Sequence, residues 1–259
     1  MSAKTQTGRP AEYPQSRAMI HLNNNLMCAI DIKTTGPNPF YDEIYEICIM
    51  PIGADGYMLR EIAPFNTQIC PLHVERIKFD ERMTSRMRKR LNEAINSGID
   101  YGRAIDHLDE WIDRLDLPFR KRIFPIAYNW PLINAFLYKW LDFIHMNSIF
   151  SYQYRDILVE ANFINDYCDF HNRRCSFSKT DYSYILGTCK IDHERGNWDT
   201  LENCRNIAEV HRLLLRDAII SLPPATELEY DEENKHMQTN DRISAVEADD
   251  GRNDDADSD

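Results

Sequence analysis

The sequence predicts an α/β domain built on a mixed sheet, an antiparallel meander continued by parallel strands, with helices flanking it. Three observations predict this. Two short apolar runs, 26–32 and 44–52, stand close together, and Gly-Ala-Asp-Gly directly after the second is a hairpin signal, so the chain opens as a meander. From residue 81 onward, helical spacing alternates with a further buried-strand run at 122–128. A chain of 259 residues that is 43% hydrophobic and 11% aromatic has the material for one packed core of about 200 residues with extensions.

Each element has its own signal. Residues 1–25 are polar and contain proline, and read as an arm ahead of the fold. The run 26–32 is a buried strand closed by a Thr-Thr-Gly-Pro-Asn-Pro turn, and 44–52 is its neighbour. A third strand is expected over 57–70. Helices are expected over 81–96 and 101–115, the second carrying Ala104, Ile105, Leu108, Trp111, Ile112 and Leu115 on one face. The strand 122–128 passes through Asn129-Trp-Pro into a helix that runs to about residue 143. Two more helices are expected over 156–170 and 199–220, the last with Leu201, Cys204, Ala208, Leu215 and Ile219 on its apolar side. The folded domain therefore spans 26–220. Beyond Pro223-Pro224 the composition turns acidic and nearly free of aromatics, so 221–259 reads as a disordered tail.

Charge and cysteines exclude some classes. The net charge is −12, but residues 226–259 hold 13 acidic and 3 basic side chains, which leaves the body at −2. A near-neutral body is compatible with local basic patches, so total charge does not exclude nucleic acid. No run approaches the roughly 18 apolar residues of a membrane span and the start is polar, so a cytoplasmic protein without membrane contact is expected. Seven cysteines, odd in number and without a C-x-x-C pair, read as reduced core thiols. His171, His193 and His211 have no metal-ligand spacing, and exposed or capping roles are expected for them.

Three segments carry a resemblance. Ala29-Ile-Asp-Ile-Lys-Thr-Thr-Gly-Pro-Asn-Pro, followed by Asp42-Glu-Ile-Tyr-Glu-Ile, resembles the Asp-x-Glu-Thr-Thr-Gly motif of the DEDD (DnaQ-like) 3′–5′ exonucleases, which have an RNase H-like fold. Asn129-Trp-Pro-Leu-Ile is similar to that superfamily's strand-end Asn followed four residues later by Asp, in wording most like a bacteriophage-encoded branch. Trp198-Asp-Thr-Leu-Glu-Asn is similar to the His-x-Ala-Leu-x-Asp motif that opens the last helix. The three lie in the family's order over about 26–216.

The resemblance implies a site of four carboxylates holding two Mg²⁺ or Mn²⁺ ions, with a histidine as general base, because in-line phosphodiester hydrolysis needs both attacking and leaving oxygens stabilised. In this sequence only Asp31 remains. The Glu position is Lys33, the second Asp position is Ile133, the His position is Trp198 and the last Asp position is Asn203. An ammonium at residue 33 repels a metal and pairs with Asp31, and an indole nitrogen accepts no proton. The expectation is therefore a pseudo-exonuclease without metal cofactors. The competing reading is an active 3′–5′ exonuclease that recruits Asp156, Asp199 or Glu202.

A retained fold with a dismantled site points to binding, of a protein partner (a host protein, if the chain is a phage factor), of single-stranded nucleic acid, or of a second copy as a homodimer. Nucleic-acid-binding candidates are the turn residues Thr34, Thr35 and Gly36, then Asn129, then the cluster Arg82, Arg86, Arg88, Lys89 and Arg90. For the turn the bland alternative is a tight loop; for the cluster it is a solvated helix face.

Overall fold

In β1 (Leu26–Thr34) successive side chains point to opposite faces, so Leu26, Cys28 and Ile30 join one core cluster while Met27 and Ala29 join another. Where the strand is covered on both sides, over 26–30, it has no polar face to show, which is why that part is a continuous apolar run. β2 (Ile44–Pro51) pairs with β1 antiparallel, Asp31 opposite Cys48, and β3 (Phe65–Gln68) pairs antiparallel with β2. On the other side β4 (Ile123–Ala127) lies parallel to β1, and β5 (Arg155–Asp156) parallel to β4. The sheet order is β3-β2-β1-β4-β5, the mixed sheet that the sequence predicts.

Helices cover both faces. α2 (Tyr101–Arg114), α3 (Trp130–Leu141) and α4 (Phe143–Ile149) bring Leu108, Trp111, Phe136, Leu137 and Met146 onto one. α5 (Ile157–Phe170), α6 (Tyr182–Thr188) and α7 (Thr200–Ser221) bring Ile157, Ile185, Cys204 and Ile207 onto the other. α1 (Ser85–Ser97) packs Leu91 and Ala94 on Tyr45 of β2. Each fully buried Ile, Leu or Phe in these layers stabilises the fold by about 1.5–3 kcal/mol.

The computed structural model describes residues 25–221 except 54–55, 78, 80–82, 118–119, 175 and 192–198. The polar arm and the acidic tail thus lie, save Asn25 and Ser221, outside the described residues. The elements form one unit up to Ala218. Among the described residues no helix is long and apolar enough to cross a membrane. Six described cysteines are free thiols, Cys28, Cys48, Cys168 and Cys204 being buried.

Several expectations are corrected. The strand expected over 57–70 is interrupted: Met58 bridges Ile52 and Leu59 N donates to Pro51 O at 3.0 Å, but the ladder with β2 resumes only at Phe65–Gln68, because Arg60 and Glu61 turn and Pro64 has no N–H for a ladder. The helix expected to run to 143 breaks at Asp142, whose φ of 63° is left-handed and whose carboxylate caps α4 by accepting from His145 N at 2.9 Å. α6 and β5, seven and two residues long, are too short to leave a periodicity.

Candidate functional site

The carboxyl end of β1 places Asp31 and Lys33 two residues apart on the same face, the face that α7 covers. Lys33 Nζ lies 3.2 Å from Asp31 Oδ2, and Asn203 Nδ2 of α7 donates to the same oxygen at 2.9 Å. Strand and helix therefore meet through one carboxylate oxygen that an ammonium and an amide share. Asn203 is itself buried, and its Oδ1 finds no hydrogen-bond partner; neither does Nδ2 of Asn206, almost one turn further along the helix. Tyr182 of α6 closes this floor, its hydroxyl donating to Asn203 O at 3.3 Å. Burial, and then the negative charge of Asp31, hold the Tyr182 phenol well above its ordinary pKa, so it stays a neutral donor.

What aims Asn203 at Asp31 is a residue that the sequence reading passed over. Glu46 is an acid inside the otherwise apolar strand β2 and is 1% exposed. Its Oε1 accepts from Thr200 Oγ1 at 2.8 Å and from Thr200 N at 3.2 Å, so the first turn of α7 is tied to β2. Arg90 of α1 closes the arrangement with two parallel hydrogen bonds to Glu46, 2.8 Å from Nε and 2.7 Å from Nη2, and the same bonds push the guanidinium pKa up. A lone Glu among buried β-branched residues was the available signal, since a buried carboxylate demands a partner.

The other motif positions have structural surroundings. Ile133 is buried in the core cluster with Phe136 and Leu137. Asn129, in left-handed conformation with φ 59°, opens α3. Thr34 Oγ1 donates to Gly36 O at 2.7 Å and Thr35 Oγ1 accepts from Glu43 N at 3.0 Å, so both hydroxyls serve the turn. A Cβ on Gly36 would meet the Asp42 carboxylate, so a larger residue there requires that side chain to move. Trp198 and Arg82 lie outside the described residues.

The carboxylates nearest the motifs are also engaged. Asp156 accepts from three backbone amides, Asn129 N at 3.0 Å, Trp130 N at 2.8 Å and Leu158 N at 3.0 Å, and so joins the starts of α3 and α5. Asp199 caps α7 by accepting from Leu201 N at 2.8 Å, and Glu202 pairs with Arg205 at 2.7 Å. Among the described residues no three His, Cys, Asp or Glu side chains converge as a metal-binding group.

Among the described cations of the basic cluster, Arg90 is turned away from the others. Arg90 points inward to Glu46, Arg88 Nε donates to Met83 O at 3.2 Å, Lys89 lies 3.9 Å from Glu93, and Arg86 is exposed. Of the histidines, His171 is exposed at the end of α5 as expected. His211 is not: it is buried and holds Glu160 at 2.9 Å, because it faces α5 from the apolar side of α7. His193 lies outside the described residues.

No protein-family model and no curated protein sequence matches this chain. Solved structures do share its fold. The nuclease domain of 3′hExo, a DEDDh family member bound to rAMP, superposes with a TM-score of 0.51 at 15% identity, over 74% of this chain and 92% of that one. Cell-death related nuclease 4 (CRN-4) gives 0.52 at 12% identity, over 74% and 64%. E. coli Exonuclease I in complex with a dT13 oligonucleotide gives 0.50 at 12% identity, over 76% and 44%. At such identities the likeness is one of fold: the sheet and its flanking helices are those of the exonuclease, RNase H-like architecture.

Proposed function

We propose that this chain is a pseudo-exonuclease: an exonuclease-fold domain, spanning about 26–220, that does not cleave and acts by binding. The observation that carries the reading is the Asp31 carboxylate, which holds the Lys33 ammonium at 3.2 Å and the Asn203 amide at 2.9 Å. The formal charges of Asp31 and Lys33 cancel, and Ile133 and Asn203 add none, so nothing at the motif positions offsets the +4 of two divalent ions. An ammonium about 4 Å from a dication is repelled by roughly 8 kcal/mol at an effective dielectric of about 20. The residues present therefore do not fit a metal pair. An active enzyme with relocated ligands would require at least two of Asp156, Asp199 and Glu202 to abandon the caps and the ion pair that they form.

A protein is the favoured partner. The similar structures are described with rAMP and with an oligonucleotide, which by analogy makes single-stranded nucleic acid the second candidate. The engagement of Arg90 with Glu46 and of Arg88 with Met83 O weakens that candidate, since it leaves Arg86 and Lys89 as the exposed described cations of α1 and strand binding rests on cations that face the phosphates together. A phage-encoded factor directed at a host protein in the cytoplasm is consistent with the wording around Asn129, and self-association is the remaining form of protein binding.

The test is degradation of 5′-labelled single-stranded DNA and RNA in Mg²⁺ and in Mn²⁺, beside Asp31→Ala. Equal inertness of both proteins is expected. Activity lost in Asp31→Ala would overturn the reading.

A further inference from the structure

A second site stands on α3, on a face turned away from Ile133. Phe150 bridges Ile123, while Arg155 pairs with Ile126. The three steps from Ile123 to Ile126 are thus matched by five from Phe150 to Arg155, and since Ser151 N still donates to Ile123 O at 2.8 Å, the excess bows 152–154 away from the sheet edge. Pro125, which has no N–H to donate, sits where the bow leaves the strand. Between the bow and the helices α3 and α4 lies a cavity of about 230 Å³, walled by Trp130, Tyr138, Phe150, Tyr152 and Tyr154.

Its chemistry is one-sided. Of the side chains that line it, none is Asp, Glu, Lys, Arg or His; the polar ones are Asn134, Asn147, Ser151 and the tyrosine hydroxyls. Trp130 lies 6.1 Å, centre to centre, from both Phe150 and Tyr154, a packed aromatic floor, whereas Tyr152 stands 81% exposed at the mouth. Phe143, stacked on Tyr138 at 5.8 Å, and Ile144 extend the apolar surface outward along α4.

The absence of charge selects the ligand. A nucleic-acid strand brings a phosphate with each nucleotide and needs cations, and a charged side chain or chain end needs a counter-charge; the lining has neither. A proline-containing extended segment suits it. Proline rings pack flat between aromatic walls, the polyproline helix is stiff before binding, and its carbonyls can accept from the Asn134 amide and the Tyr152 and Tyr154 hydroxyls without leaving an N–H unmatched, Asn147 Nδ2 and the Tyr138 hydroxyl being engaged by Phe143 O and Asn147 Oδ1. We infer that this cavity binds an uncharged, proline-containing segment of a partner protein in polyproline conformation. The inference names the partner chemistry for the binding role proposed above and rests on that role.

The experiment uses the full chain and a fluorescein-labelled decaproline peptide, followed by fluorescence anisotropy at about 50 and about 500 mM NaCl. Saturable binding that changes little with salt is expected. Tyr152→Ala, at an exposed position that leaves the core intact, weakens it at least about tenfold, and Asn134→Ala weakens it less. No saturation by about 1 mM peptide overturns the inference, as does unchanged affinity in Tyr152→Ala. Displacement by oligo(dT) assigns the cavity to nucleic acid instead, and a dimer that dissociates in Tyr152→Ala assigns it to a second copy; either also overturns it. The nuclease assay is run on the same proteins, so failure of peptide binding with an inert Asp31 site is distinguishable from failure of the pseudo-exonuclease reading.

Discussion

At the scale of single residues the account rests on what shares the Asp31 carboxylate. Lys33 and Asp31 are each about one-sixth exposed, at 18% and 16% of their side chains. Lys33→Ala is therefore expected to lower stability by about 1 kcal/mol or less, as a shift in urea midpoint, since Asn203 still holds the oxygen. Ile133→Asp, which restores an acid at a motif position, is expected to cost about 3 kcal/mol or more in the same assay, because its side chain is packed with Phe136 and Leu137 and an unpaired carboxylate there has lost its water. The grouping of Asp31, Lys33 and Asn203 was legible in the sequence: strand period fixes the first two on one face, and motif order brings the third. Glu46 was signalled only as a lone acid in an apolar run; its partner, like that of His211, was not legible, because the burial of a polar residue depends on a group distant in the chain, Arg90 for one and Glu160 for the other.

Among elements, the seating of α7 matters most. Thr200 is bound to Glu46, and Asn203 follows almost one turn later, so the register of the helix against β2 decides what touches Asp31. Glu46→Ala is expected to destabilise the protein by about 3–5 kcal/mol in urea denaturation, since it strands the Arg90 guanidinium and the Thr200 donors together. A double variant that also replaces Arg90 by Met should recover part of that loss; an equal or larger loss would show that the pair does not act as a unit. Long elements with clear periods, α2, α5 and α7, were read from the sequence nearly to their ends. Elements set by local backbone geometry were not: the α3–α4 break depends on a left-handed Asp142, and β5 on the bow of 152–154.

At the scale of the molecule, burial controls the response to alkali. Burial first, and then the neighbouring Cys48, hold the Cys28 and Cys204 thiols well above 9.0, and burial holds the Tyr182 phenol well above 10.0. The unfolded chain releases these protons as pH passes about 9 while the folded chain keeps them. This contribution to stability is thus complete below pH 9 and is lost as pH rises through the folded values. Urea midpoints at pH 7 and pH 10 should differ, the second being lower, and thiol reagents should modify Cys28 and Cys204 only after unfolding.

The central claim is that the site at the end of β1 no longer holds divalent metal. It is tested most directly by titrating Mn²⁺ into the protein and counting bound ions by electron paramagnetic resonance, beside Asp31→Ala and a Lys33→Glu/Asn203→Asp double variant. The account predicts no Mn²⁺ bound to the native chain more tightly than about 1 mM, no difference in Asp31→Ala, and a gain of binding in the double variant, where two carboxylates replace an ammonium and an amide. Micromolar binding by the native chain that disappears in Asp31→Ala would contradict it, because Lys33 would then have yielded its place to the ion.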